Sequence, residues 1–107
     1  MGAKVSKISA QEEARIAKKC VARRTAYYGC VAANKADPKA CERLEAALVM
    51  CTASELASCK EASGEHERCF TSLMNTGRYN GRRDCTVELD ALKAALKRHG
   101  AYPFPQA

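Results

Sequence analysis

Two antiparallel helical hairpins in tandem, stapled by disulfides and with the second one degenerate, form the all-α fold that this sequence predicts. Three observations carry that expectation. Glycine and proline are few, 6 and 3 of 107 residues, and most stand where helices would stop. No stretch alternates apolar with polar residues long enough to read as a strand. Three cysteine pairs share one interval: Cys20 to Cys30, Cys41 to Cys51 and Cys59 to Cys69 each enclose nine residues.

The composition explains why staples are needed. A chain of 107 residues makes one small domain with limited capacity to bury a core. It has no Trp, two Phe and four Tyr, and much of its apolar content is Ala and Cys. Folds of this size usually add disulfides or a metal. Seven cysteines supply the means, and such usage suggests an oxidising compartment or a metal site.

The elements follow in order. Ser9-Ala10-Gln11-Glu12 has the form of a capping box, opening a helix that can run to about Asn34, with Gly29 a weak point near its end. Asp37-Pro38 is a second start signal, Asp as N-cap and Pro at the first helical position. Leu44, Leu48 and Cys51 then share one face. Thr52-Ala53-Ser54-Glu55 offers another capping box, for a third helix reaching Met74 before Gly77, with a kink expected at Ser63-Gly64. After the polar loop NTGRYNGRR, a fourth helix runs from about Asp84 to His99, with Cys85, Leu89, Leu92 and Leu96 at helical spacing. Gly100 ends it. The expected organisation is a flexible stretch at 1–8, a first hairpin at 9–52, a second at 53–99 and an extended tail at 100–107.

Geometry says what the repeated interval does. Ten residues of helix rise about 15 Å, whereas a disulfide needs Cα atoms within about 7 Å. Cysteines of one helix therefore cannot pair with each other. They turn about 80° relative to one another, close enough to face one neighbour. If that neighbour runs antiparallel with the same interval, both can be bridged at once. Cys30 then lies across the turn from Cys41, and Cys20 opposite Cys51. Each bridge would contribute roughly 2–4 kcal/mol, chiefly by restricting the unfolded chain.

At these residues, 20 to 51, the chain resembles the twin Cys-x9-Cys family, the coiled-coil-helix–coiled-coil-helix proteins of the mitochondrial intermembrane space. The resemblance implies a small protein without a cleavable presequence, oxidised during import by a disulfide relay. Glu12 and Glu13 agree, since they interrupt what would be an acid-free transit peptide. The second half extends the likeness. Cys59 and Cys69 repeat the interval, and Cys85 can face Cys69 across the loop. The same register puts Ala95 opposite Cys59, so the second hairpin lacks its outer bridge and Cys59 is a free thiol. Two hairpins in tandem are similar to the double-hairpin accessory subunit of respiratory complex I. DPKAC (37–41) and TGRYNGRRDC (76–85) sit where that subunit has comparable sequence.

Two further features bear on partners. In MGAKVSK, removal of Met1 would expose Gly2, with Ser6 and Lys7 at positions that favour N-myristoylation; an unmodified terminus is the alternative. One acyl chain with Lys4 and Lys7 would give peripheral contact with inner-membrane lipid. No apolar run approaches a membrane span. The net charge is +6, with Lys18, Lys19, Arg23 and Arg24 on the first helix, Arg78, Arg82 and Arg83 before the fourth, and Lys93, Lys97 and Arg98 on it. Lys97 and Arg98 suit a helix C-terminus. The rest read as a solvated face, or as contacts to acidic surfaces, cardiolipin or ribosomal RNA. Tyr27 is expected to pack against the bridge at Cys30.

Catalysis finds little support in the residues. His66 and His99 stand in no nucleophile or acid–base constellation, and neither a phosphate-cradling glycine loop nor a Cys-x-x-Cys pair is present. A zinc set of Cys59, His66, Cys69 and Cys85 has suitable ligand types at unfamiliar spacing, and no adjacent Cys-Cys pair offers a Cu(I) site. The expectation is a non-catalytic structural subunit of a respiratory complex, complex I first, on its intermembrane-space side, without cofactor, metal or nucleic acid. The alternatives are a soluble assembly factor or metal carrier for cytochrome c oxidase, and a mitochondrial ribosomal protein.

Overall fold

The computed structural model describes residues 8–102. Among them are five α-helices and two short 3-10 turns, with no strand beyond one isolated bridge between Tyr79 and Arg82. The helices are α1 (Ala10–Lys19), α2 (Val21–Ala33), α3 (Glu42–Ser54), α4 (Lys60–Thr76) and α5 (Thr86–Arg98). The fold is all-α and disulfide-stapled, with α2 and α3 forming one hairpin and α4 and α5 the other. Helix α3 is central, packing against α2, α4 and α5, and α1 folds onto α2 and α3.

Ser9 caps α1 as its sequence requires. The Ser9 hydroxyl accepts from the Glu12 amide and the Glu12 carboxylate accepts from the Ser9 amide, both at 3.1 Å. The helix does not continue unbroken to Asn34, however. At Cys20 the backbone departs to φ −105°, ψ 14° and the chain bends. Ile16 and Cys20 are both fully buried, so the bend is what turns α1 onto the core.

Two other start signals behave differently from expectation. Asp37 makes no side-chain cap; Pro38 instead opens a 3-10 turn, Pro38–Cys41, and α3 starts after Cys41. Thr52 caps nothing, because it lies inside α3 with its hydroxyl buried and without a partner among the described residues. The chain breaks after Ser54 and re-enters through the 3-10 turn Ala57–Cys59. Helix α4 then passes through Ser63-Gly64 without interruption. Nothing crowds the backbone there: a Cβ on Gly64 would meet only the tip of Arg68, at 3.6 Å. It ends where Gly77 takes φ +81°, a conformation glycine adopts without steric cost.

The core is thin and built as the composition implied. Ile16, Leu48, Val49, Leu56, Leu92 and Leu96 are its largest apolar members, filled out by Cys20, Cys59, Ala53 and Ala95. Helices α1, α3 and α5 therefore meet in one cluster, and the free-standing hairpins become one body.

Candidate functional site

Four of the five helices begin directly after a cysteine in nearly the same backbone conformation. Cys20, Cys41, Cys59 and Cys85 are the N-cap residues of α2, α3, α4 and α5, with φ between −105° and −117° and ψ between 10° and 30°. Ten residues further along each helix stand Cys30, Cys51, Cys69 and Ala95. Every bridge joins a cap position of one helix to the inner position of its antiparallel partner. Cys20 pairs with Cys51 and Cys30 with Cys41, Cα–Cα 5.9 Å in both, and Cys69 pairs with Cys85 at 6.0 Å. These spacings suit unstrained disulfides. The fourth pair of the pattern is Cys59 and Ala95, both buried in the core cluster.

Burial raises the thiol pKa of Cys59, the desolvated thiolate being disfavoured. Such a thiol behaves as a small apolar side chain. The zinc set weighed from sequence does not form, since Cys69 and Cys85 are bonded to each other. Those two sulfurs lie close to a Glu88 carboxylate oxygen, but a disulfide sulfur is not a thiolate ligand. Gly2, the candidate acylation site, and residues 103–107 of the tail lie outside the described residues.

The loop between α4 and α5 is heavily braced. Asn80 and Gly81 take positive φ, 52° and 79°, while Tyr79 and Arg82 exchange backbone hydrogen bonds at 2.8 and 3.0 Å. This is a two-residue hairpin, and the Asn-Gly pair at its tip is the sequence signal for it. The Tyr79 hydroxyl donates to Glu65 on α4. Arg82 grips Glu88 on α5 with both terminal nitrogens, at 3.1 and 2.5 Å. The Arg82 hydrogen bonds hold the Glu88 carboxyl below its ordinary pKa, and those of Tyr79 and Arg68 do the same for Glu65. Beside this pair His66 is buried, and desolvation lowers its pKa, opposed by the Glu88 charge.

Several cations of the chain, among them some that read as a solvated face or as partner contacts, are used inside it. Lys19 and Arg15 both reach Glu55 at the end of α3, each at 3.6 Å, and Arg24 pairs with Glu13 at 3.2 Å. Lys93 lies 3.5 Å from Glu45. Lys18, Arg23, Arg78, Arg83, Lys97 and Arg98 are exposed and make no ion pair among the described residues. Tyr27 is half-buried against the core and tilts against Tyr28, ring centroids 5.7 Å apart.

The geometry can therefore hold helices at fixed register and present a basic exterior. Nothing among the described residues assembles a nucleophile, a base and an orienting group.

No family model, curated protein or solved structure matches this chain. The helical hairpins and the bridges Cys20–Cys51 and Cys30–Cys41 are compatible with the coiled-coil-helix–coiled-coil-helix fold.

Proposed function

We propose that the chain is a twin Cys-x9-Cys protein serving as a non-catalytic accessory subunit of a mitochondrial respiratory complex, complex I before the others. In this reading it sits on the intermembrane-space side and stabilises assembly. The observation that carries it is the doubly bridged α2–α3 hairpin, made from two equal cysteine intervals and followed by a second hairpin of the same plan with one bridge. Oxidation of six cysteines in so small a chain suits a compartment with a disulfide relay. The buried Cys59 thiol suits a structural part rather than a carrier that must offer a thiolate. No helix among the described residues is long and apolar enough to cross a membrane, so attachment would be through protein contacts, with lipid contact added if Gly2 is acylated.

The test is fractionation of mitochondria carrying the tagged chain, combined with protease protection after rupture of the outer membrane. Co-migration with complex I, and loss of that complex on depletion, are expected. A free monomer would point to the assembly-factor or carrier reading, and ribosomal sedimentation to the ribosomal one.

A further inference from the structure

One stripe of α4 carries no bridge. Lys60, Ser63, Gly64, Glu67, Thr71 and Met74 follow at three- and four-residue steps and so share a face. Adjoining hollows run along this stripe. The middle one, about 320 Å³, lies between Met50 and Ser54 of α3 and Ser63, His66, Glu67 and Phe70 of α4. Its floor is Leu92, a fully buried core residue. At the stripe's end Phe70 and Met74, one helical turn apart, are 50% and 73% exposed. Scattered surface apolar residues need no explanation. These rim, or stand one turn beyond, a notch that opens onto the core.

Size and charge select the occupant. The notch is at the small end of the roughly 300–1,000 Å³ typical of small-molecule sites, and its wall mixes Met50, Phe70 and Leu92 with the polar side chains of Ser54, Ser63, His66 and Glu67. It has room for an apolar side chain or two. A second copy of the chain is disfavoured twice over. A stable dimer takes about 800 Å² from each partner, more than this narrow groove and two side chains provide, and the copy would bring another net charge of +6. A single helix laid in the groove needs less surface. Glu67 on the groove wall is exposed and makes no ion pair among the described residues, so it offers a contact for a cation. We propose that the α3–α4 groove receives an amphipathic helix of a partner protein, its apolar side chains over Leu92 beside Phe70 and Met74, its lysine or arginine against Glu67. This deepens the functional reading and rests on it in one respect, that the chain works by holding protein.

The probe is a synthetic amphipathic helix of about four turns, leucines along one face and one lysine flanking them, with a second peptide in which glutamate replaces that lysine. Methyl-labelled methionine reports binding by NMR, because Met50 lines the notch and Met74 stands at its end. The oxidised full chain should show saturable Met50 and Met74 shifts with the lysine peptide. Phe70→Ala should weaken binding roughly tenfold or more. Glu67→Lys should weaken it roughly two- to fivefold and favour the glutamate peptide instead. All three bridges should be intact in both variants, which change exposed side chains only.

Absence of a Met50 shift, or binding indifferent to both substitutions, overturns the proposal. So does a Met50 shift that grows with protein concentration alone, which would make a second copy the occupant. A Met50 shift on deleting residues 1–7 or 103–107 would make a terminal segment the occupant and overturn the proposal equally. In mitochondria the two ideas separate. A chain that joins a large complex regardless of Phe70→Ala and Glu67→Lys leaves the accessory reading standing and removes this groove from it. A chain that runs free while binding the peptide does the reverse.

Discussion

The hydroxyl of Tyr102 donates a hydrogen bond to Glu45 Oε2 at 2.8 Å, across 57 residues of chain. Lys93 joins them, its Nζ 3.5 Å from Glu45 Oε1 and 5.8 Å from the centre of the Tyr102 ring. The segment that follows the last helix is thus tied at once to α3 and α5. The first hairpin and the segment just after α5 hold each other.

Tyr102→Phe keeps the ring and removes the donor. It should lower stability by about 1 kcal/mol, read as a fall in denaturation midpoint. Burial first, then the hydrogen bond to Glu45, pushes the Tyr102 pKa up to about 12. The folded state therefore keeps the phenol proton longer than the unfolded chain, whose tyrosines titrate near about 10. Its contribution is complete below that pH and is lost as pH rises towards the folded value. Melting curves of the wild type should show this alkaline decline more strongly than those of Tyr102→Phe. Equal declines would mean that the contact adds nothing.

Thr52 is 2% exposed and its hydroxyl oxygen has no partner among the described residues. A buried polar group left unsatisfied costs about 1–3 kcal/mol. Thr52→Val replaces the hydroxyl by a methyl of similar shape and should stabilise the protein by about 1 kcal/mol. An unchanged or lowered midpoint in urea would show that the hydroxyl is satisfied in solution.

Ala95→Cys should create a fourth bridge, to Cys59. The two positions complete the cap-and-inner pattern shared by the other pairs, and both are buried in one cluster. A bridge of this loop length contributes roughly 4 kcal/mol. Non-reducing peptide mapping should find residues 59 and 95 linked and the other three bridges unchanged. If both thiols stay free under oxidising conditions, the register of α4 against α5 differs from that of α2 against α3.

The Arg82–Glu88 pair makes the loop between α4 and α5 acid-sensitive. Glu88 has its pKa lowered in the fold, so the pair's contribution is present above the unfolded glutamate value of about 4.3 and disappears as pH falls through the folded value. Glu88→Gln should flatten that part of the acid limb. Hydrogen exchange should show Tyr79 and Arg82 amides losing protection first in the variant; uniform protection would detach the pair from the loop.

What the sequence disclosed depended on range. The capping box at Ser9, the stop at Gly77 and the cysteine register are local or periodic, and the structure contains each of them. The same logic misplaced a cap at Thr52, because a four-residue motif carries no information on whether its first residue is already inside a helix. At Ser63-Gly64 a kink is expected from propensity alone, yet α4 simply continues there. The Asn80-Gly81 turn was legible but hidden in a stretch of charged residues that read as loop. Tyr102–Glu45, Arg15–Glu55 and the α3–α4 groove had no sequence signal, since they arise only when distant helices are packed. Lys19 and Arg24 are the same lesson for charge: both looked available to a partner, and both meet carboxylates of the chain itself.

The unpaired Cys59 has a kinetic meaning. Seven cysteines can form three bridges in on the order of a hundred ways, and only one of these satisfies the helices. A chain with an even number of cysteines, once fully oxidised, holds its mistakes until some outside thiol undoes them. With seven, one thiol is left over after three bridges form, and a thiolate is the species that attacks a mispaired bridge. Exchange stops when the leftover thiol is the one that the fold buries and whose pKa it raises. The missing eighth cysteine thus leaves one thiol in the folded chain, held where burial disfavours the thiolate that exchange requires.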